Sequence, residues 1–121
     1  DGSNGTGFIV SKDKEIFLVT NKHMIGTWSL IDPFVMLKYI TVIFYPNNGG
    51  QYVSQHIDLK NTDGEVLDEV RCHPNDDIDI AVIRITEIYT SNPKISENHI
   101  GHGVLIPISK ISTETYLGYG S

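Results

Sequence analysis

Two side chains in this sequence have the types and settings needed to move a proton. His23 lies near the end of the stretch GTGFIVSKDKEIFLVTNKHMIG, residues 5 to 26, and Asp79 opens the apolar run Asp79-Ile80-Ala81-Val82-Ile83-Arg84-Ile85. A lone histidine is most simply structural or exposed, so the case for His23 depends on Asp79. With apolar residues on both sides of its run, Asp79 is expected to be at least partly buried. A buried carboxylate is costly without a hydrogen-bond partner or counter-charge. A histidine donating from one ring nitrogen would meet that need, and the carboxylate would in turn fix the tautomer of the ring. The other nitrogen of such a ring can take a proton from a hydroxyl and turn it into a nucleophile. Asp76 and Asp77 have no comparable requirement and read as solvated turn residues.

The elements that must position this pair are strands. Phe8–Val10 and Ile16–Val19 are short apolar runs separated by Ser11-Lys12-Asp13-Lys14, the pattern of a hairpin. The second run delivers His23 just past a strand end. Val35 to Tyr45 is rich in Val, Ile, Tyr and Phe, with Met36, Ile40, Val42 and Phe44 in phase, and reads as one long strand or two with a bend. Asn47-Asn48-Gly49-Gly50 is a turn. Tyr52 to Lys60 alternates, with Val53, Ile57 and Leu59 against Ser54, His56, Asp58 and Lys60. After Asp63-Gly64, Val66 to His73 alternates again, and Pro74-Asn75-Asp76-Asp77 turns the chain into Ile78 to Ile85. Beyond Ile85 the pattern weakens, with a helical turn expected around Glu87–Thr90, one further strand over Val104–Ile108 and a weak segment from Thr113 to Ser121. Short strands joined by Gly, Asn and Asp turns, without a sustained helical period, predict an all-β barrel or sandwich.

Gly5-Thr6-Gly7-Phe8-Ile9, Leu18-Val19-Thr20-Asn21-Lys22-His23-Met24, His73-Pro74 and Asp79-Ile80-Ala81-Val82-Ile83 resemble, in that order, the motifs of trypsin-like (chymotrypsin-fold) serine peptidases, most closely the bacterial, HtrA-like branch. The resemblance implies an all-β fold, a six-stranded antiparallel barrel forming the amino-terminal half of a double barrel. Residues 1–110 would be that first barrel, and 111–121 the start of a linker towards a second. It implies His23 as general base and then acid, Asp79 as the orienting carboxylate, a peptide or protein substrate, and no cofactor or metal. The chain order histidine, aspartate, serine is that of the family. The departure is the nucleophile. No Gly-x-Ser-Gly follows Asp79, and Ser91, Ser96, Ser109, Ser112 and Ser121 lack the glycines on both sides whose N–H groups would build an oxyanion hole. The family draws its nucleophile, serine or in viral relatives cysteine, from the carboxy-terminal barrel. These residues alone are therefore expected to be inactive and to expose apolar surface that favours self-association. The alternative is a non-catalytic, peptidase-like module for binding or assembly.

Other features support blander readings. The 121 residues carry a net charge of −6, with nine scattered Lys and Arg, which speaks against a nucleic-acid surface. No apolar run approaches the roughly 20 residues that a membrane-spanning helix needs, and the first residues do not resemble a signal peptide. Cys72 is the only cysteine, so no internal disulfide forms, and it reads as a small apolar residue under a sheet. It also precedes Asp79, the wrong place for the nucleophile. Asn4-Gly5-Thr6 is a formal glycosylation sequon read as chance. His99-Ile100-Gly101-His102 spells the tetrapeptide of class I aminoacyl-tRNA synthetases, but it follows a polar loop instead of a parallel strand. These two histidines, with His56 or His73, are expected to be exposed loop residues and not a metal site. Tyr39, Tyr45 and Tyr52 read as barrel and rim aromatics, and Asp13 and Asp63 as turn residues.

Overall fold

A computed structural model describes residues 2–27, 34–44, 52–96 and 105–111. The chain is all-β. Strand β1 (Gly2–Lys12) and β2 (Glu15–Thr20) form the expected hairpin, β3 (Gly26–Thr27) and β4 (Val35–Met36) a short second pair, and β5 (Tyr39–Phe44) and β6 (Val53–Asp58) another hairpin. Strand β7 (Val70–Cys72), β8 (Ala81–Arg84) and β9 (Leu105–Ile111) complete the set, with helices α1 (Lys22–Ile25), α2 (Thr86–Ser91) and α3 (Pro93–Ser96) between them. Seven strands form one antiparallel sheet in the order β6-β5-β9-β1-β2-β8-β7. The expected bend in Val35–Tyr45 falls at Leu37-Lys38, where the chain changes partners. Leu37 donates its N–H to the carbonyl of Ile25, and the carbonyl of Lys38 accepts from Leu59 and Lys60. Tyr45, Asn47–Gly50, His99–His102 and Thr113–Ser121 lie outside the described residues.

The period of two sets the core. In β2, Ile16, Leu18 and Thr20 point inward while Glu15, Phe17 and Val19 are half-buried. In β5, Ile40, Val42 and Phe44 are buried, as their phase requires. Register aligns Ile9, Leu18, Ile83 and Val70 side by side across β1, β2, β8 and β7, and all four are buried. This row ties together the strand that leads to His23 and the one that follows Asp79. Helix α2 is held against the β1–β2 hairpin by Thr86, whose hydroxyl accepts from the N–H of Ile16 at 2.9 Å and donates to Glu15 at 2.5 Å. Arg84 reaches Glu15, Glu69 and Glu87 from the same end of the sheet.

Gly26, where α1 passes into β3, is required for space and not for its backbone angles, since its φ of −168° is ordinary extended chain. A Cβ there would stand 2.3 Å from the ring of Phe34 and 2.6 Å from the carbonyl oxygen of Val35. The ring can shift, but the backbone oxygen cannot without disturbing the β3–β4 pair. Gly26→Ala is therefore expected to cost about 1–3 kcal/mol, read as a lowered urea midpoint with an unchanged slope.

Candidate active site

His23 occupies a single helical turn that the end of β2 imposes. Asn21 remains extended, with ψ of 149°, and its carbonyl accepts the N–H of Met24 at 3.0 Å. That turn buries Lys22, Met24 and Ile25 and leaves His23 facing outward. The preceding Thr20 is anchored to β1 through a hydrogen bond from its hydroxyl to the carbonyl of Thr6, 3.0 Å away. The base candidate thus stands on the last residues of a paired strand.

Asp79 comes from the turn between β7 and β8. That turn is closed by the N–H of His73 on the carbonyl of Ile80, of Ile78 on Asn75, and of Asp77 on the side-chain oxygen of Asn75. Asp79 does not open the strand, as its sequence suggested. Pairing begins at Ala81, because the backbone from residue 75 to 80 is engaged in the turn. Nor is it buried on both sides, since Ile80 is 44% exposed and the Asp79 side chain 41%.

The two side chains meet across 56 residues of sequence. Nδ1 of His23 lies 2.5 Å from Oδ2 of Asp79, and the backbone N–H of His23 donates to Oδ1 of the same carboxylate at 3.1 Å. An ionised carboxylate only accepts hydrogen bonds, so Nδ1 carries a proton. Partial burial raises the Asp79 carboxyl, but the ring and N–H of His23, together with the N–H of Lys22, outweigh it and hold the group below the usual aspartate range.

The neighbours of His23 reach the same turn. Asn21 donates its side-chain amide to the carbonyl of Asp79 at 3.0 Å, and the Lys22 ammonium bonds the carbonyl of Asn75 at 3.1 Å. These supporting residues were not singled out in the sequence. For Lys22 a signal existed, because it continues the inward phase of Ile16, Leu18 and Thr20. An open cavity of about 220 Å³ is lined by Thr6, Phe8, Val19, Asn21 and Ile80 among others, but by neither His23 nor Asp79.

The remaining candidates do not join this site. His56 lies on β6, not in a loop. Its Nε2 is 2.7 Å from Oδ1 of Asp58 and its ring stacks on Tyr39. That contact joins residues two apart on one exposed strand face, so it requires no particular fold. His73 accepts the N–H of Asn75 through its ring and thereby shapes the Asp79 turn. Burial pushes the half-buried Cys72 thiol up, against the pull of Lys22, which leaves it a poor nucleophile. Among the described residues no group of three or more His, Cys, Asp and Glu is arranged to hold a metal ion, and no helix is long and apolar enough to cross a membrane. Comparison with protein-family models, with curated proteins and with solved structures finds no match to this chain.

Proposed function

We propose that these residues are the first β-barrel of a trypsin-like serine peptidase and supply its base and orienting carboxylate. The observation that carries this reading is the double attachment of His23 to one carboxylate, by ring and by backbone. A surface ion pair does not need both, whereas a proton carrier held in one tautomer does. With Nδ1 committed to Asp79, proton transfer falls to Nε2. The base would take the hydroxyl proton of a serine as it attacks the peptide carbonyl, then return it to the departing amine, leaving an acyl-enzyme that water hydrolyses through the same steps. The serine, the oxyanion hole and the substrate pocket would come from a second barrel outside these 121 residues, and no cofactor takes part.

A barrel is favoured by the way the sheet's edges are connected. Strands β6 and β7 are its two edges and are consecutive in the chain. The residues between them are drawn together by the N–H of Leu67 on the carbonyl of Leu59 and by the bridge between Lys60 and Val66.

The test is peptide-bond hydrolysis by these residues together with any sequence the gene encodes beyond Ser121. Cleavage that falls about 10⁶-fold in kcat on His23→Ala supports the reading. Cleavage indifferent to that change removes His23 as the base and overturns the reading, and no cleavage at all replaces it with a peptidase-shaped binding module.

A further inference from the structure

Lys22 is the costliest residue near the pair. Its side chain is only 4% exposed, and its ion pair with Asp76, at 4.0 Å, is with a carboxylate that is itself 93% exposed. The closer contact is to a neutral group, the carbonyl of Asn75 at 3.1 Å. An ammonium withdrawn from water is costly unless it is well paired, and an uncharged side chain of similar length would fill the same space without that cost. The charge therefore needs a reason beyond packing.

We propose that Lys22 is a positioning residue for the His23–Asp79 pair, acting through the turn that carries Asp79. Asn75 is the pivot of that turn. Its N–H donates to the ring of His73, its side-chain oxygen accepts from Asp77, and its carbonyl accepts from both Ile78 and Lys22. The first three bonds shape the turn internally and say nothing about where it sits. The bond from Lys22 is different in kind, because it ties the turn to the helical turn that bears His23. Asn21, Lys22 and His23 are consecutive, and they grip the turn at the Asp79 carbonyl, the Asn75 carbonyl and the Asp79 carboxylate. Without Lys22 the turn keeps its shape but is held at only one end. The 2.5 Å separation between Nδ1 and Oδ2 then has no fixed support on the far side. The inference rests on the proposed reading for what the pair does, but not for its geometry.

The experiment uses the 121-residue chain and needs no substrate. The Nδ1–H of His23 should give a low-field proton resonance in water, identified by its disappearance in Asp79→Asn. Lys22→Met is expected to keep the circular dichroism of the fold and lose that resonance, and Lys22→Arg to restore it. Persistence of the resonance unchanged in Lys22→Met overturns the proposal, as does its absence from the native chain. If Lys22→Met does not fold, the native ammonium decides. Slowed exchange and a through-hydrogen-bond coupling to the Asn75 carbonyl carbon are expected, and their absence overturns the assignment. A peptide-cleavage assay separates the two readings. Loss of the resonance with no cleavage in any form keeps the role of Lys22 and removes the peptidase. In an active protein, Lys22→Met should lower kcat about 10²-fold, the order of effect expected from misplacing a catalytic group by an ångström, and leave KM nearly unchanged.

Discussion

Asp79→Asn is expected to lower kcat for peptide hydrolysis about 10⁴-fold with little change in KM, in the polypeptide that would, on the proposed reading, join these residues to a nucleophile. The size of the effect follows from how the carboxylate is held. Oδ1 accepts the backbone N–H of His23 at 3.1 Å, and in the asparagine variant the side-chain oxygen is the only atom able to keep that bond. The amide NH₂ must then face Nδ1. An NH₂ donates, so Nδ1 has to accept and the ring proton moves to Nε2, the nitrogen that should be taking the proton of the nucleophile. The geometry survives and the chemistry fails, which is why kcat falls and substrate binding does not. A loss of less than tenfold would mean that Asp79 does not orient the base. The same residue has an acid signature in the chain alone. Its carboxyl is held below the ordinary aspartate value of 3.8. Its ionisation therefore adds stability that is fully present above that pH and is lost as pH falls through the lower, folded value. Urea midpoints of the native chain and of Asp79→Asn should converge over that acid range. A constant difference from neutral pH into strong acid would assign the stabilisation to other groups.

The pairing of His23 with Asp79 was legible because it rests on a requirement: a carboxylate beside apolar strand residues needs a partner. The premise was only partly right. Asp79 is half-exposed, and the partner is there because the turn presents the carboxylate to His23, not because burial leaves it no alternative. The period of two carried the inward phase of Ile40, Val42 and Phe44 in β5, since one face of that strand is sealed by the core. Strand ends were harder. The hairpin between β1 and β2 reads as a four-residue polar gap, yet the turn is only Asp13-Lys14, with φ of 53° and 69°. Ser11, Lys12 and Glu15 continue the ladder. Asp13 reads as a turn residue and is one, since Asp tolerates positive φ, but Lys14 does not announce itself, because its place in such a turn is usually taken by Gly. Val66 to His73 alternates over eight residues, but the strand is confined to Val70–Cys72, since Leu67 is drawn away to Leu59. The grip of Asn21 and Lys22 on the turn links residues more than 50 positions apart and depends on carbonyl directions, which residue identities do not encode. Ile95, fully buried in α3, lay in a stretch whose polar composition concealed it.

Leu18→Ala is expected to cost about 3–5 kcal/mol, a large part of the 5–15 kcal/mol that typically holds a domain together. Leu18 is fully buried and is one of the largest side chains in that condition. Its register partners, Ile9 on one side and Ile83 on the other, are rigid strand residues that are themselves buried. The lost volume can collapse only if paired backbones move together, so most of the cavity should remain, and residual cavity is what takes such substitutions to the upper end of their range. The consequence extends to the site. Leu18 lies two residues before Thr20, the last residue of the strand that leads to His23, and Ile83 follows Asp79 by four residues on the strand paired with it. The two halves of the His23–Asp79 pair are therefore held in register by the row that this substitution opens. A fall in the urea midpoint, together with broadening of the His23 Nδ1–H resonance well before global unfolding, would show that core and site act as one unit. A loss below about 0.5 kcal/mol, the level of a surface change, would mean that the row is not the support its burial indicates.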